Sequence, residues 1–227
     1  MVLQDVPFKI KICGLTDVDD AIAAVDAGAD AIGLNFYRGS KRCVCVDVAR
    51  KIVDAVSQRT TCVGVFVNAS ADEIHAICRQ ARLRVVQLHG NEPPELIKFL
   101  GSGYDIIRAR RFDERGTPAI RADLDACCEV AGFAPMAILI DAAAAGQFGG
   151  TGRTVDWQQL ENYETWVKNV PLILAGGLTP ANVSEAIRIV RPQAVDVASG
   201  VESAPGKKDA AKMRDFVAAA RAAFAAL

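Results

Sequence analysis

The sequence predicts an α/β fold: a single-domain (β/α)8 TIM barrel over residues 1–227, with a closed parallel eight-stranded barrel inside outer helices. Three observations point there. Short apolar runs alternate with helical patterns eight times, and parallel strands need such crossovers. About 220 residues is the length of one eight-fold barrel. The last two apolar runs end in small residues, Gly176-Gly177 and Ser199-Gly200, as the strands of a phosphate-gripping barrel do. The rival is a doubly wound open sheet, but no GxGxxG follows the first strand.

The elements follow in order. Phe8–Cys13 alternates, with Phe8, Ile10 and Ile12 on one face and Lys9, Lys11 and Cys13 on the other. Gly14-Leu15 turns the chain, and Thr16-x-x-Asp19 caps a helix to about Ala27. The strand Asp30–Phe36 is followed by a loop carrying Arg38, Lys41 and Arg42, then a helix over Asp47–Val56. Thr61–Val67 is a β-branched strand, and Ser70-Ala71-Asp72-Glu73 is a capping box for a helix to about Ala81. Val85–His89 is strand four, with a helix over Glu92–Leu100 entered through Pro93-Pro94. Asp105–Arg110 is strand five, Ile120–Ala131 its helix, and Met136–Asp141 strand six. After the loop Ala142–Arg153 comes a sixth helix over Asp156–Val167. Pro171–Ala175 is strand seven, and Thr179 and Pro180 open its helix as N-cap and first helical residue. Ala194–Ala198 is strand eight and Asp209–Ala226 the last helix. Gly14-Leu15-Thr16 and Gly177-Leu178-Thr179 occupy like places in their units, a weak internal repeat.

Composition narrows the class. With 51% apolar and 23% charged residues the chain can bury a core, and its net charge of −1 calls for neither nucleic acid nor a membrane surface. No apolar run reaches the ~18 residues of a span. The opening residues, MVLQDVPFKI, do not read as a signal peptide, so a cytoplasmic location is expected. Seven cysteines without a CxxC, and only His75 and His89 as histidines, suggest free thiols and no metal site.

Reactive groups of a barrel stand at the C-terminal ends of its strands. Those ends carry Cys13, Gln87, His89, Asp141, Asp196 and Ser199, and the loop after strand two carries Arg42. Period-two counting puts Lys11 with Cys13 and Leu139 with Asp141, so an inward thiol and an inward carboxylate face each other across the mouth. A cysteine is often only a small apolar residue, and the other six are read that way. Cys13 differs by its strand-end position and by Lys11 two residues back, an ammonium expected to lower the thiol pKa. Asp141 stands evenly between an acid and a loop cap. Gln87 and His89 are candidate substrate-binding residues or hydrogen-bonded neighbours of the site. Gly150 lies in Gly149-Gly-Thr-Gly152, where main-chain N–H groups can meet a ligand. The alternative for that stretch is a flexible linker.

Taken together, Lys11-Ile-Cys-Gly-Leu-Thr16, Gly39-Ser-Lys-Arg42, Gly64-Val-Phe-Val-Asn68, Val86-Gln-Leu-His-Gly90, Leu139-Ile-Asp141, Gly149-Gly-Thr-Gly152, Leu174-Ala-Gly-Gly-Leu-Thr-Pro180 and Asp196-Val-Ala-Ser-Gly-Val-Glu202 with Pro205-Gly-Lys-Lys-Asp209 resemble the phosphoribosylanthranilate isomerase family. The resemblance runs from Lys9 to about Phe216. It implies a cofactor-free barrel that carries out an Amadori rearrangement in tryptophan biosynthesis. Cys13 then matches the general base at C2′, and Asp141 the acid that protonates the furanose ring oxygen. Arg42 matches the holder of the anthranilate end; Gly177, Ser199 and Gly200 match the phosphate grip, with Gly176 beside it. Burial near a phosphate dianion would favour the protonated form of Asp141. The partner implied is a small-molecule phosphosugar, met by a monomer or homodimer.

Two positions depart from the family pattern. Cys43 replaces an aromatic after Arg42, and Ala198 replaces a serine before Ser199. The sister isomerase of histidine biosynthesis, which resembles this family, uses aspartates for both proton transfers, whereas strand one here ends in Cys13. A ribulose-phosphate epimerase needs metal ligands that two histidines do not supply. A non-catalytic phosphosugar-binding barrel would keep the glycine turns and lose Cys13 or Asp141.

Overall fold

In a computed structural model, which describes residues 6–142, 157–165, 167 and 170–227, the eight apolar runs close into a barrel. The strands are β1 (Ile10–Cys13), β2 (Ala31–Asn35), β3 (Thr61–Phe66), β4 (Val85–Leu88), β5 (Asp105–Arg111), β6 (Ala137–Asp141), β7 (Leu172–Ala175) and β8 (Ala194–Val197). They pair in parallel in chain order, and β8 returns to β1, so the sheet has no free edge. The helices are α1 (Val18–Asp26), α2 (Val46–Val56), α3 (Ala71–Ala81), α4 (Glu95–Leu100), α5 (Gly116–Ala131), α6 (Val183–Val190) and α7 (Ala210–Ala225). None in the described residues is long and apolar enough to cross a membrane.

Strand alternation divides the core in two. Ala31, Val63, Val85, Ile107, Ala137, Leu139, Ile173 and Ala194 fill the barrel, while Ile10, Ile12, Ile32, Leu34, Val86, Ile138, Leu172 and Val195 face the helices. Each residue's parity therefore fixes whether it can reach the barrel interior.

Several element starts differ from the sequence expectation, each for a local reason. Asp17, not Thr16, caps α1, accepting from Asp20 N at 2.8 Å; Thr16 instead donates to the Gly206 carbonyl. Ser70 caps α3 as expected, accepting from Glu73 N. α4 begins at Glu95 rather than Glu92, because the Glu92 carboxylate is committed to the Asn68 and Gly90 amides. α5 begins four residues before Ile120, with Pro118 in the first turn, where a missing N–H costs nothing. The expected helix over Asp156–Val167 is absent from its described part. Two 3₁₀ turns, Trp157–Leu160 and Tyr163–Thr165, stand there, with Asn162 between them at φ 58°. α6 starts at Val183, after Thr179 and Pro180, since the Asn182 side chain takes Thr179 N and donates to the Gly177 carbonyl.

Two outward positions of β5 are arginines, Arg108 and Arg110, and both pair with Asp123 on α5. Arg108 is fully buried and donates to both Asp123 oxygens on α5, at 3.0 Å each, and to the Glu92 carbonyl at 2.7 Å. Asp123→Ala should destabilise the fold by about 3–5 kcal/mol, because it strands a buried guanidinium; a denaturant melt reads this as a lower midpoint with an unchanged slope.

Candidate active site

β1 and β2 pair with Cys13 opposite Gly33, and the glycine is needed there: a Cβ on it would lie 2.5 Å from Cys13 Sγ. Two residues back, Lys11 is fully buried inside the barrel and donates to Asp196 Oδ1 on β8 at 2.9 Å. Lys11 faces the thiol as expected, yet the outcome is reversed. Burial pushes the Cys13 thiol above its ordinary value, and Lys11 and Lys208 offset that only in part.

The remaining cysteines are not uniformly buried. Cys78 and Cys127 are, with thiols pushed up to about 12 by burial, and Cys62 is pushed up to about 11. Cys45 is exposed as the N-cap of α2, and Cys43 and Cys128 are half-buried, so the apolar reading fails at these positions.

β6 ends in Asp141, inward by parity with Leu139 and Ala137. The route β1–β8–β7–β6 sets it nearly across the barrel from Cys13. Its side chain is 26% exposed, open to the mouth, and His89 Nε2 lies 3.8 Å from its Oδ2. His89 is held in turn by the Gln87 carboxamide, 2.7 Å from Nδ1. Gln87 is buried, and its Oε1 has no hydrogen-bond partner among the described residues.

Arg42 reaches the mouth over Gly14. That glycine has φ 80°, and a Cβ on it would lie 2.6 Å from Arg42 Cδ, so only glycine lets the arginine stem cross the end of β1. The β7 and β8 ends meet likewise. Gly176 and Gly177 have φ 91° and 66°, and a Cβ on Gly200 would overlap the Leu178 carbonyl oxygen. Gly177 thus matches Gly14 in conformation as well as in sequence. Ser199 is exposed and opens a 3₁₀ turn, Ser199–Val201, packed against that loop. Gly150 and the rest of its loop lie outside the described residues.

Sequence reasoning assigned no role to Glu202 and Lys208. They lie in a hairpin, β9 (Glu202–Ala204) and β10 (Lys207–Lys208), that follows β8 at the rim of the mouth. The signal in the sequence is Pro205-Gly206, a turn dipeptide between Glu202 and Lys207-Lys208. Glu202 joins Arg42 and Lys208, one carboxylate between two cations. Lys11 and Asp196 neutralise one another, and the Arg42–Glu202–Lys208 cluster carries one net positive charge.

A closed parallel barrel with a thiol, a carboxylate and a guanidinium gathered at the C-terminal ends of its strands defines a β/α-barrel enzyme. The family model described as N-(5′-phosphoribosyl)anthranilate (PRA) isomerase matches residues 10–219. The chain belongs to the phosphoribosylanthranilate isomerase family. It is 46% identical to the N-(5′-phosphoribosyl)anthranilate isomerase of Acidithiobacillus ferrooxidans, over 94% of this chain and 97% of that one. It is 47% identical to the enzyme of the same name from Magnetococcus marinus, over 95% and 96%. The crystal structure of phosphoribosylanthranilate isomerase from Thermotoga maritima superposes with a TM-score of 0.83 at 37% identity, over 95% of this chain and 99% of that one. A further structure, of the isomerase in complex with reduced 1-(o-carboxyphenylamino)-1-deoxyribulose 5-phosphate, superposes at 0.78 with 36% identity, over 95% and 99%.

Proposed function

We propose that this chain isomerises N-(5′-phosphoribosyl)anthranilate to 1-(2-carboxyphenylamino)-1-deoxyribulose 5-phosphate in tryptophan biosynthesis, with Cys13 as base and Asp141 as acid. The observation that carries the assignment of roles is the pair of inward strand ends, Cys13 on β1 and Asp141 on β6, nearly opposite across the mouth. Asp141 gives its proton to the ring oxygen as the C1′–O bond breaks, which leaves an iminium between C1′ and the anthranilate nitrogen. That cation makes the C2′ hydrogen acidic, and the Cys13 thiolate removes it to give an enolamine. A proton added at C1′ and one lost from the C2′ hydroxyl then yield the ketone.

Arg42 takes the anthranilate carboxylate as a charge-assisted contact. The phosphate lies against Gly176, Gly177, Ser199, Gly200 and, from the loop after β6, Gly150, with glycines letting it approach the main chain. Gln87 and His89 stand beside the sugar; the partly exposed His89 ring, 3.8 Å from Asp141 and held by Gln87, supports this. The whole chain acts as one catalytic domain on a small-molecule substrate in the cytoplasm, as a monomer or homodimer.

The test is the decay of phosphoribosylanthranilate fluorescence with purified protein. Turnover supports the proposal; binding without turnover, or turnover of the aminoimidazole substrate of the sister reaction instead, contradicts it. Gly200→Ala is expected to raise KM about tenfold or more with a smaller change in kcat. The added Cβ must part the two turns, and small displacements of a positioning element carry such costs. Steady-state kinetics at saturating and low substrate separate the two constants.

A further inference from the structure

Glu202 is almost closed off from solvent, its side chain 5% exposed, although it stands at the rim of an open mouth. Its two oxygens are both spent on Arg42. Oε1 accepts from Nε and Oε2 from Nη2, each at 2.7 Å, a side-on bidentate pair. The carboxylate is itself fixed. Lys208 Nζ, fully buried, donates to Oε1 at 3.0 Å and to the Ala198 carbonyl at 3.0 Å. Lys212 Nζ donates to the Glu202 carbonyl at 2.8 Å, and Lys208 N to Asp20 at 2.8 Å. The β9–β10 hairpin is thus pinned to α1 and α7, and at the Gly206 carbonyl to Thr16 in the loop after β1.

A guanidinium held this way has lost its freedom to rotate. Its Nε edge is occupied, and its Nη1 side is left to meet a second carboxylate. The Arg42 side chain is 25% exposed, so one side of it is open. Without Glu202, Arg42 would be a long side chain over Gly14 whose ordering has to be met when ligand binds.

We propose that Glu202 is a positioning residue that holds Arg42 in the orientation that reads the carboxylate of the anthranilate ring, and so sets the selectivity for a carboxylated N-aryl group. This rests on the assignment of Arg42 to that carboxylate. Burial alone would raise the Glu202 carboxyl, but Arg42 and Lys208 outweigh it and hold it below its ordinary value, so the pair is intact at neutral pH. The sign follows: the pair stabilises the fold above the ordinary carboxylate range and is lost as pH falls through the lowered value.

Two ligands separate this role from plain structural support: reduced 1-(o-carboxyphenylamino)-1-deoxyribulose 5-phosphate and its phenylamino counterpart without the carboxylate. Affinities are measured by competitive inhibition and by calorimetry. Glu202→Gln keeps the shape, removes the charge and replaces one acceptor by a donor facing Nη2. It should weaken the carboxylated ligand by about 10–100-fold and the plain phenylamino ligand by less than about threefold. Arg42→Ala should abolish the preference, and adding Glu202→Gln to it should cost nothing more. If Glu202→Gln does not fold, Glu202→Asp is read in the same way, since it keeps a charge for Lys208 but draws the carboxylate back from Arg42. Equal loss of both ligands, or no loss of either, overturns the role of Glu202. An intact preference in Arg42→Ala overturns instead the assignment of Arg42 itself.

Discussion

Cys13→Ser should lower kcat/KM for phosphoribosylanthranilate by about 10²–10⁴-fold, the range a positioned proton-transfer group supplies. Serine keeps the size and sits opposite Gly33 without strain, so folding and phosphate binding should stay near wild type. What is lost is acidity, since a hydroxyl gives no useful anion in water. The wild-type pH profile should carry the same signature. Burial holds the thiol above its ordinary value despite Lys11 and Lys208, so the thiolate is scarce at neutral pH. Its fraction grows about tenfold per pH unit below the thiol pKa. The low-pH limb of kcat/KM should therefore rise towards alkaline pH in the wild type, and this rise should disappear in Cys13→Ser. Stopped assays from pH 6 to pH 9 with both proteins check it.

Asp141→Asn should cost a similar factor, about 10²–10⁴-fold, and nearly all of it in kcat. The carboxamide fills the same space at the end of β6 but cannot deliver a proton to the ring oxygen. KM should move little, because the group acts as the C1′–O bond breaks rather than in holding the ground state. The His89 ring, 3.8 Å away, does not replace it in this account. A large rise in KM with little change in kcat would instead make Asp141 a binding residue. Near-wild-type activity would remove it from the chemistry.

Much of this was legible in the residues. The eight apolar runs, their order and the inward parity of Cys13 and Asp141 follow from period-two alternation, which closure of the barrel leaves intact. Gly14, Gly177 and Gly200 could be suspected from sequence because each ends a strand unit, and the close approaches at Gly14 and Gly200 explain them. What escaped is what depends on partners distant in the chain. Thr16 reads as a cap until Gly206, from the far end of the chain, takes its hydroxyl. Lys11 reads in sequence as an activator of Cys13, yet Asp196 from the far end of the chain pairs with it, and burial dominates the thiol. Glu202 closes a motif of the chain, but its role does not show there, because its partner Arg42 lies 160 residues away in the sequence.

The central claim is that Cys13 removes the C2′ hydrogen after Asp141 has opened the ring. The most direct measurement uses phosphoribosylanthranilate carrying deuterium at C2′, following fluorescence decay and the appearance of label in water together. Wild type should lose the label to solvent as product forms, and Cys13→Ser should retain it while binding the substrate. Label loss and turnover at the wild-type rate in Cys13→Ser would contradict the account and move the base to another residue.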